Sequence, residues 1–207
     1  MSFKIVFMGT PEFSLPTLEA LIENKFNVVS VYTQPPTKSK RGQKINVSPI
    51  EEFSKKNKIN FKNPINLNSD EELKIFKELS PDIVVVVAYG QIIPKFFLKT
   101  TKFGFINIHA SLLPKWRGAA PIQRAIMNGD KKVGVSIMKI EEKLDSGPVL
   151  ASNELELDQN KLQLFWSKIE GMKSKGSWSK QEIVNLFNDM IPNFNHLETN
   201  KYLDDKM

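Results

Sequence analysis

The segment Ile83-Val84-Val85-Val86-Val87-Ala88 decides the fold class of this 207-residue chain. Six apolar residues follow one another there without a polar interruption. A strand with one face in water alternates apolar and polar residues, whereas a continuous apolar run is typical of a strand covered on both faces. Strands of that kind occur in parallel sheets that carry helices on both sides. The segment therefore predicts the centre of an α/β sheet.

Strand-like and helix-like segments alternate on both sides of this run, as expected of βαβ units. Further strands are predicted at residues 4–8, 27–33, 103–108 and 133–140. Helices are predicted at residues 13–24, 49–58, 69–79 and 121–127. The expected fold is α/β and Rossmann-like, with a mostly parallel sheet and helices on both faces. The turn Gly9-Thr10-Pro11 lacks the full Gly-x-Gly-x-x-Gly fingerprint, so a nicotinamide cofactor is not expected.

The composition excludes several classes of protein. The chain is 41% hydrophobic and 25% charged, which is ordinary for a globular protein. Its apolar runs fall short of the roughly 20 residues that a membrane span needs, so no membrane association is expected. The chain has no cysteine and two histidines far apart in the sequence, so we expect neither disulfides nor a metal site. A cytoplasmic location is the resulting prediction.

The polar side chains of the strand at 103–108 and its end suggest a reaction. Alternate residues of a strand share a face, so Asn107 and His109 are predicted side by side, with Ile106 and Ile108 in apolar packing. Together with the carboxylate of Asp145, they suit acyl transfer without a covalent enzyme intermediate. An isolated histidine is more often a satisfied core residue, and Asp145 in Asp-Ser-Gly also suits a turn.

Several motifs in order resemble a known family. Asn107-Ile108-His109, Ser111-Leu112-Leu113-Pro114 and Leu144-Asp145-Ser146-Gly147, in this order, resemble folate-dependent formyltransferases. The run 111–126 and the segment Ile5–Phe13 are similar to methionyl-tRNA formyltransferases in particular. The resemblance extends from residue 2 to about residue 158. It implies transfer of a formyl group from 10-formyltetrahydrofolate to the amino group of methionyl-tRNA.

The same resemblance assigns residues to roles. It implies that Asn107, His109 and Asp145 are catalytic. It also implies folate contacts by two segments, with the residues Ser111, Leu112, Leu113, Pro114, Ala88, Tyr89, Gly90 and Ile92. The segment 33–44 resembles the loop that engages the acceptor end of initiator tRNA, which implies tRNA contacts by Lys38, Lys40, Arg41, Gly42 and Lys44. Four of these residues are cations without an intervening acid, which suits phosphate contact, although a solubilising surface loop has the same composition.

The last fifty residues depart from this pattern. We expect residues 1–158 to form the catalytic domain, incomplete at its end, and 159–207 to form an atypical, short helical tail. Helices are predicted at 162–172 and from Ser179 to Met190, and the aromatic side chains of the tail are expected to pack. The tail faintly resembles the carboxyl end of nucleotide-sugar dehydratases and epimerases. The second, β domain of methionyl-tRNA formyltransferases is not recognisable, and His196 is assigned no role.

Three alternative functions stay open at this point. The chain could formylate a smaller amine such as an amino sugar nucleotide, or hydrolyse the formyl donor if water replaces the amine. It could also be a truncated or fused remnant without enzymatic activity. The sequence predicts no oligomeric state.

Overall fold

The computed structural model of the chain describes residues 3–38, 45–176, 179, 181–182 and 185, with the backbone alone at Lys38, Ile45, Gln159 and Lys161. The strands are β1 (Lys4–Gly9), β2 (Asn27–Tyr32), β3 (Thr37–Lys38), β4 (Ile45–Asn46), β5 (Phe61–Lys62), β6 (Ile83–Val87), β7 (Phe105–His109), β8 (Lys132–Lys139) and β9 (Val149–Glu156). The helices are α1 (Leu15–Glu23), α2 (Pro49–Lys56), α3 (Asp70–Leu79), α4 (Lys95–Leu98), α5 (Pro121–Met127) and α6 (Gln159–Lys175). A 3-10 turn, Glu12–Ser14, precedes α1.

Seven strands form the main sheet in the order β5-β2-β1-β6-β7-β8-β9. The pairs from β5 to β7 are parallel, and β8 runs antiparallel to β7. The run Ile83–Val87 lies in the middle, between β1 and β7, and four of its five residues are buried. The prediction of a mostly parallel, Rossmann-like sheet is thereby confirmed.

Each face of the sheet carries its own apolar cluster, because alternate strand residues point to opposite faces. One cluster joins β-strand residues such as Val84 and Val86 to Phe76 of α3 and Phe97 of α4. The other cluster joins the remaining strand positions to α1 and α2 through residues that include Val85, Leu18 and Ile50. Helices therefore cover both faces, as the continuous apolar run predicts.

The helix starts follow from local sequence. Ser48 accepts a hydrogen bond from Glu51 N at 3.0 Å and caps α2, with Pro49 in the first turn. Ser69 caps α3 in the same way by accepting from Glu72 N at 3.1 Å. These caps satisfy backbone donors that have no partner within the helix.

The structure adds elements that the sequence analysis did not predict. The strand β9 is an eight-residue neighbour of β8, and every one of its residues is exposed. The short strands β3, β4 and β5 and the single-turn helix α4 were also not predicted. The predicted tail helix at 162–172 corresponds to the longer α6.

The described residues divide into two compact units. One falls within Met1–Asn128 with Val133–Leu155, and the other within Gly129–Lys132 with Glu156–Met207. In the tail, Ser179 Oγ accepts from Glu182 N and Glu182 Oε2 accepts from Ser179 N, which completes a capping box. Most of the predicted second tail helix lies outside the described residues. None of the helices in the described ranges combines the length and apolar character needed to cross a membrane.

Candidate active site

The carboxyl ends of three neighbouring parallel strands form one edge of the sheet. Gly9 ends β1, the segment Ala88–Gly90 follows β6, and His109 ends β7. In open α/β sheets this edge is where ligands bind. The predicted strands at 4–8, 83–88 and 103–108 end at or just before these residues, and the parallel pairing brings the three strand ends to this edge.

Two hydroxyl groups tie the turn after β1 to the end of β6. Ser14 Oγ, fully buried, donates to Val87 O at 2.7 Å, and Thr10 Oγ1 donates to Tyr89 O at the same distance. Thr10 Oγ1 also accepts from Gln34 N at 3.2 Å. These contacts fix the backbone of Ala88–Gly90, in which Ala88 and Gly90 have positive φ values of 46° and 81°.

The alternation predicted for β7 is present. Ile106 and Ile108 pack against the cluster that α1 and α2 cover. Asn107 and His109 therefore share the other face, where His109 is 7% exposed and Asn107 is partly buried. An amide and an imidazole are thus held two residues apart on one strand.

Both ring nitrogens of His109 face oxygen atoms. Nε2 lies 3.0 Å from the carbonyl oxygen of Trp116, and Nδ1 lies 3.7 Å from Asp145 Oδ2. A carbonyl oxygen only accepts, so Nε2 carries a proton when it makes this bond. When the ring is protonated on both nitrogens, Asp145 Oδ2 offers a counter-charge at ion-pair distance from Nδ1.

Backbone geometry sets the position of Asp145. Its Oδ2 accepts from Gly118 N at 2.8 Å, and its φ is 45°, a left-handed conformation that aspartate tolerates better than most residues. Two residues on, a Cβ on Gly147 would lie 1.9 Å from Lys139 O at the end of β8. Glycine is therefore required there, and it lets the Asp145 loop approach β8.

The candidate folate residues fall in two segments at the same sheet edge. Ala88 to Ile92 follows β6 and Ser111 to Pro114 follows its parallel neighbour β7. The side chain of Tyr89 is 1% exposed and belongs to the core, so the backbone is what this residue can offer to a ligand. Ser111 is 3% exposed and donates to Lys115 O at 2.6 Å, whereas Ile92 is 91% exposed.

The candidate tRNA residues cannot be placed in the same way. Lys40, Arg41, Gly42 and Lys44 lie outside the described residues, and only the backbone of Lys38 is described, in β3. Among the described residues no group of three or more acidic or histidine side chains could hold a metal ion.

Sequence reasoning missed contributions from the backbone and from β8. The carbonyl of Trp116 and the N–H of Gly118 hold His109 and Asp145, and no side-chain pattern signals them. Ser136 of β8, 1% exposed, bonds to the turn that follows His109. The sequence does indicate Ser136, because it is a lone hydroxyl residue in the apolar run Val135-Ser136-Ile137-Met138.

The chain belongs to the formyl transferase family, whose model matches residues 3–163. Its sequence is 50% identical over 193 residues to the methionyl-tRNA formyltransferase of Pelagibacter ubique. That match covers 92% of this chain and so includes residues beyond 158, where the resemblance was expected to end. The methionyl-tRNA formyltransferase of Coxiella burnetii is 52% identical over 153 residues, or 74% of this chain.

The solved structure of phosphoribosylglycinamide formyltransferase from Bacillus halodurans shares the fold. Its TM-score is 0.63 at 22% identity, and the match covers 83% of this chain and 90% of that one. The chain spans 62% of the length of the Pelagibacter relative and 49% of the Coxiella relative.

Proposed function

We propose that this chain transfers the formyl group of 10-formyltetrahydrofolate to the amino group of methionyl-tRNA. The observation that carries the proposal is the pairing of His109 with Asp145, beside Asn107, in a chain about half identical to methionyl-tRNA formyltransferases. A cytoplasmic location and a catalytic unit within residues 1–158 are part of the proposal. The family match over residues 3–163 ends close to that boundary.

The proposed reaction has one tetrahedral intermediate. The amine nitrogen attacks the formyl carbon, and the bond from that carbon to N10 of the folate then breaks. The amine loses a proton and N10 gains one. Asn107 or protonated His109 donates a hydrogen bond to the oxyanion that forms, because both side chains lie on one face of β7 at the sheet edge.

His109 handles the proton transfers in order: protonated on both nitrogens, it gives its Nε2 proton to N10 as the bond from the formyl carbon to N10 breaks, and the neutral ring then accepts the proton that the amine loses. Its Nε2 proton is bound to Trp116 O, so it reaches a reacting atom only when this bond is exchanged for one to the substrate. Asp145 orients the ring from the Nδ1 side and balances its charge. Gly118 N keeps the carboxylate in place during the exchange.

The two substrates approach from different segments. We propose that the folate lies between Ala88–Ile92 and Ser111–Pro114, where backbone groups and apolar walls outnumber charged side chains. We propose that the basic segment 38–44 contacts phosphates of the tRNA acceptor end. The relatives named for methionyl-tRNA support this acceptor.

The test is a formyl-transfer assay with the purified chain and three acceptors. Charged initiator tRNA, uncharged initiator tRNA and an amino sugar nucleotide are each supplied with 10-formyltetrahydrofolate, and release of tetrahydrofolate is followed alongside acceptor formylation. Formylation of the charged tRNA alone supports the proposal. Formylation of the amino sugar nucleotide, or tetrahydrofolate release without any formylated acceptor, contradicts it.

A further inference from the structure

Ser136 lies on β8 directly opposite His109 of β7 in the antiparallel register. Its side chain is buried, with 1% of the residue exposed, so it does not reach a bound ligand. The reaction proposed above gives it no task. It is nevertheless a polar side chain enclosed beside the residue that handles the protons.

The hydroxyl of Ser136 makes two hydrogen bonds to one turn. Its Oγ donates to Ser111 O at 2.7 Å and accepts from Leu113 N at 3.0 Å. A hydroxyl is both donor and acceptor, so a single atom serves a carbonyl and an N–H that are two residues apart. An apolar side chain at this position leaves both backbone groups unpaired inside the protein.

The same turn is held by contacts within itself. Ser111 N donates to His109 O at 2.9 Å, and Ser111 Oγ donates to Lys115 O at 2.6 Å. These bonds fix the shape of the turn after β7. The bonds from Ser136 come from the neighbouring strand, so they set where the turn lies relative to the sheet and to His109.

We infer that Ser136 is a positioning residue for the folate donor, acting through the backbone of Ser111 to Leu113. This inference rests on the proposed function, in which that segment contacts the folate. Because Ser111 O and Leu113 N are engaged by Ser136, other groups of the segment must contact the donor. The hydroxyl of Ser136 therefore governs donor affinity, while the residues on β7 govern the chemical step.

The test compares Ser136→Ala with Ser30→Ala in the full chain. Ser30 is a fully buried serine of β2 whose hydroxyl has no hydrogen-bond partner among the described residues, so it controls for loss of a buried hydroxyl as such. Binding of 5-formyltetrahydrofolate, a stable isomer of the donor, is measured by calorimetry. Donor KM, acceptor KM and kcat are then measured in the formylation assay.

Ser136→Ala is expected to weaken donor binding and raise donor KM about tenfold, as the loss of two buried hydrogen bonds at one anchor implies. The value of kcat at saturating donor and the acceptor KM are expected to stay within about twofold of the parent, since the strand pairing of β7 is unchanged. Ser30→Ala is expected to change none of these values. Ser136→Thr keeps the hydroxyl and is expected to restore donor KM.

Ser136→Cys provides a second variant if the alanine variant does not fold. A thiol is a larger group and a weaker donor than a hydroxyl, so an intermediate rise in donor KM of about threefold is expected. Unchanged donor affinity in the folded alanine or cysteine variant overturns the inference, and so does an equal effect in Ser30→Ala. If the parent chain forms formyl-methionyl-tRNA and the Ser136 variant has the same donor affinity as the parent, the role of Ser136 is refuted while the proposed function stands. A parent chain that neither binds the folate nor transfers formyl overturns the proposed function as well.

Discussion

Replacing Gly147 by alanine tests whether the position of Asp145 limits the reaction. An ideal Cβ at Gly147 lies 1.9 Å from Lys139 O and 3.0 Å from Lys139 C, whereas real Cβ contacts stay above 3.0 Å. Both obstructing atoms belong to the backbone and cannot rotate away. The loop and β8 must therefore separate by about 1 Å or more to bring the Cβ to an ordinary contact distance. Asp145 lies two residues away and moves with the loop.

A displacement of that size is large on the scale of catalysis. Misplacement of a catalytic group by about 1 Å can lower the rate about 100-fold, and we expect a fall in kcat of that order for Gly147→Ala. Overpacking of this kind also lowers the free energy of unfolding by about 1–3 kcal/mol. Donor KM is expected to change less than kcat, because Asp145 acts on His109 and not on the folate-binding segments.

The assay measures kcat and donor KM in formyl transfer, and the free energy of unfolding in urea. Gly171→Ala is the matched control, because Gly171 lies within α6 and a Cβ there meets nothing within 4 Å. This control is expected to keep full activity and to gain a little stability, as alanine favours a helix over glycine. A Gly147→Ala variant with kcat within twofold of the parent and unchanged stability refutes the steric reasoning.

Three further predictions concern charge, a buried hydrogen bond and pH. Asp145→Asn keeps an oxygen for Gly118 N but removes the charge opposite His109, so kcat is expected to fall about 100-fold. The control Asp82→Asn alters the partner of Lys4 N at the other end of the sheet and is expected to leave kcat unchanged, and equal kcat values in the two variants contradict the prediction. Ser14→Ala removes the hydrogen bond that Val87 O accepts from Ser14 Oγ, and is expected to lower the free energy of unfolding in urea by about 1–2 kcal/mol. Ser54→Ala removes a buried hydroxyl that has no partner among the described residues and is expected to lower it less, and the reverse order argues against the hydrogen bond. Burial, and to a lesser degree the charge of Glu72, raises the pKa of Tyr32 and Tyr89 above the usual value of about 10. The stability that these neutral phenols contribute is therefore complete below about pH 10 and is lost as the pH rises beyond it. The free energy of unfolding in urea is expected to be lower at pH 11 than at pH 9. If a Tyr32→Phe, Tyr89→Phe double variant shows as large a drop between these pH values as the parent, the prediction is contradicted.

Much of the fold could be predicted because the determining signals are local. The apolar run at Ile83–Val87 identifies the central strand, and the caps Ser48 and Ser69 stand where the sequence shows a helix start. Alternation within β7 was enough to place Asn107 and His109 on one face. In each case the signal is carried by residues that are close together in the chain.

The strand β9 could not be predicted, for a physical reason. All eight of its residues are exposed, so neither a continuous apolar run nor a period-two alternation marks it. The strand is part of the sheet because its backbone pairs with β8, and backbone pairing does not require a particular side-chain pattern. The close approach of Gly134 to Asn153 O, where a Cβ would lie 2.1 Å away, shows how the two strands meet.

The surroundings of the candidate site could be predicted only in part. The three side chains Asn107, His109 and Asp145 were named from motifs, but the atoms that hold them belong to the backbone of Trp116 and Gly118. Ser136 contacts its turn across 23 and 25 residues of chain, and such long-range bonds arise only once the sheet has formed. The basic segment at 38–44 stays a prediction.

The most direct test of the central claim is formyl transfer to charged initiator tRNA by His109→Ala and His196→Ala, the variants of the two histidines in the chain. Our account predicts that His109→Ala retains binding of 5-formyltetrahydrofolate and loses transfer, with a fall in kcat of about 100-fold or more, whereas His196→Ala matches the parent. Transfer by His109→Ala at the parent rate contradicts the assignment of His109 and Asp145 as the groups that carry the reaction.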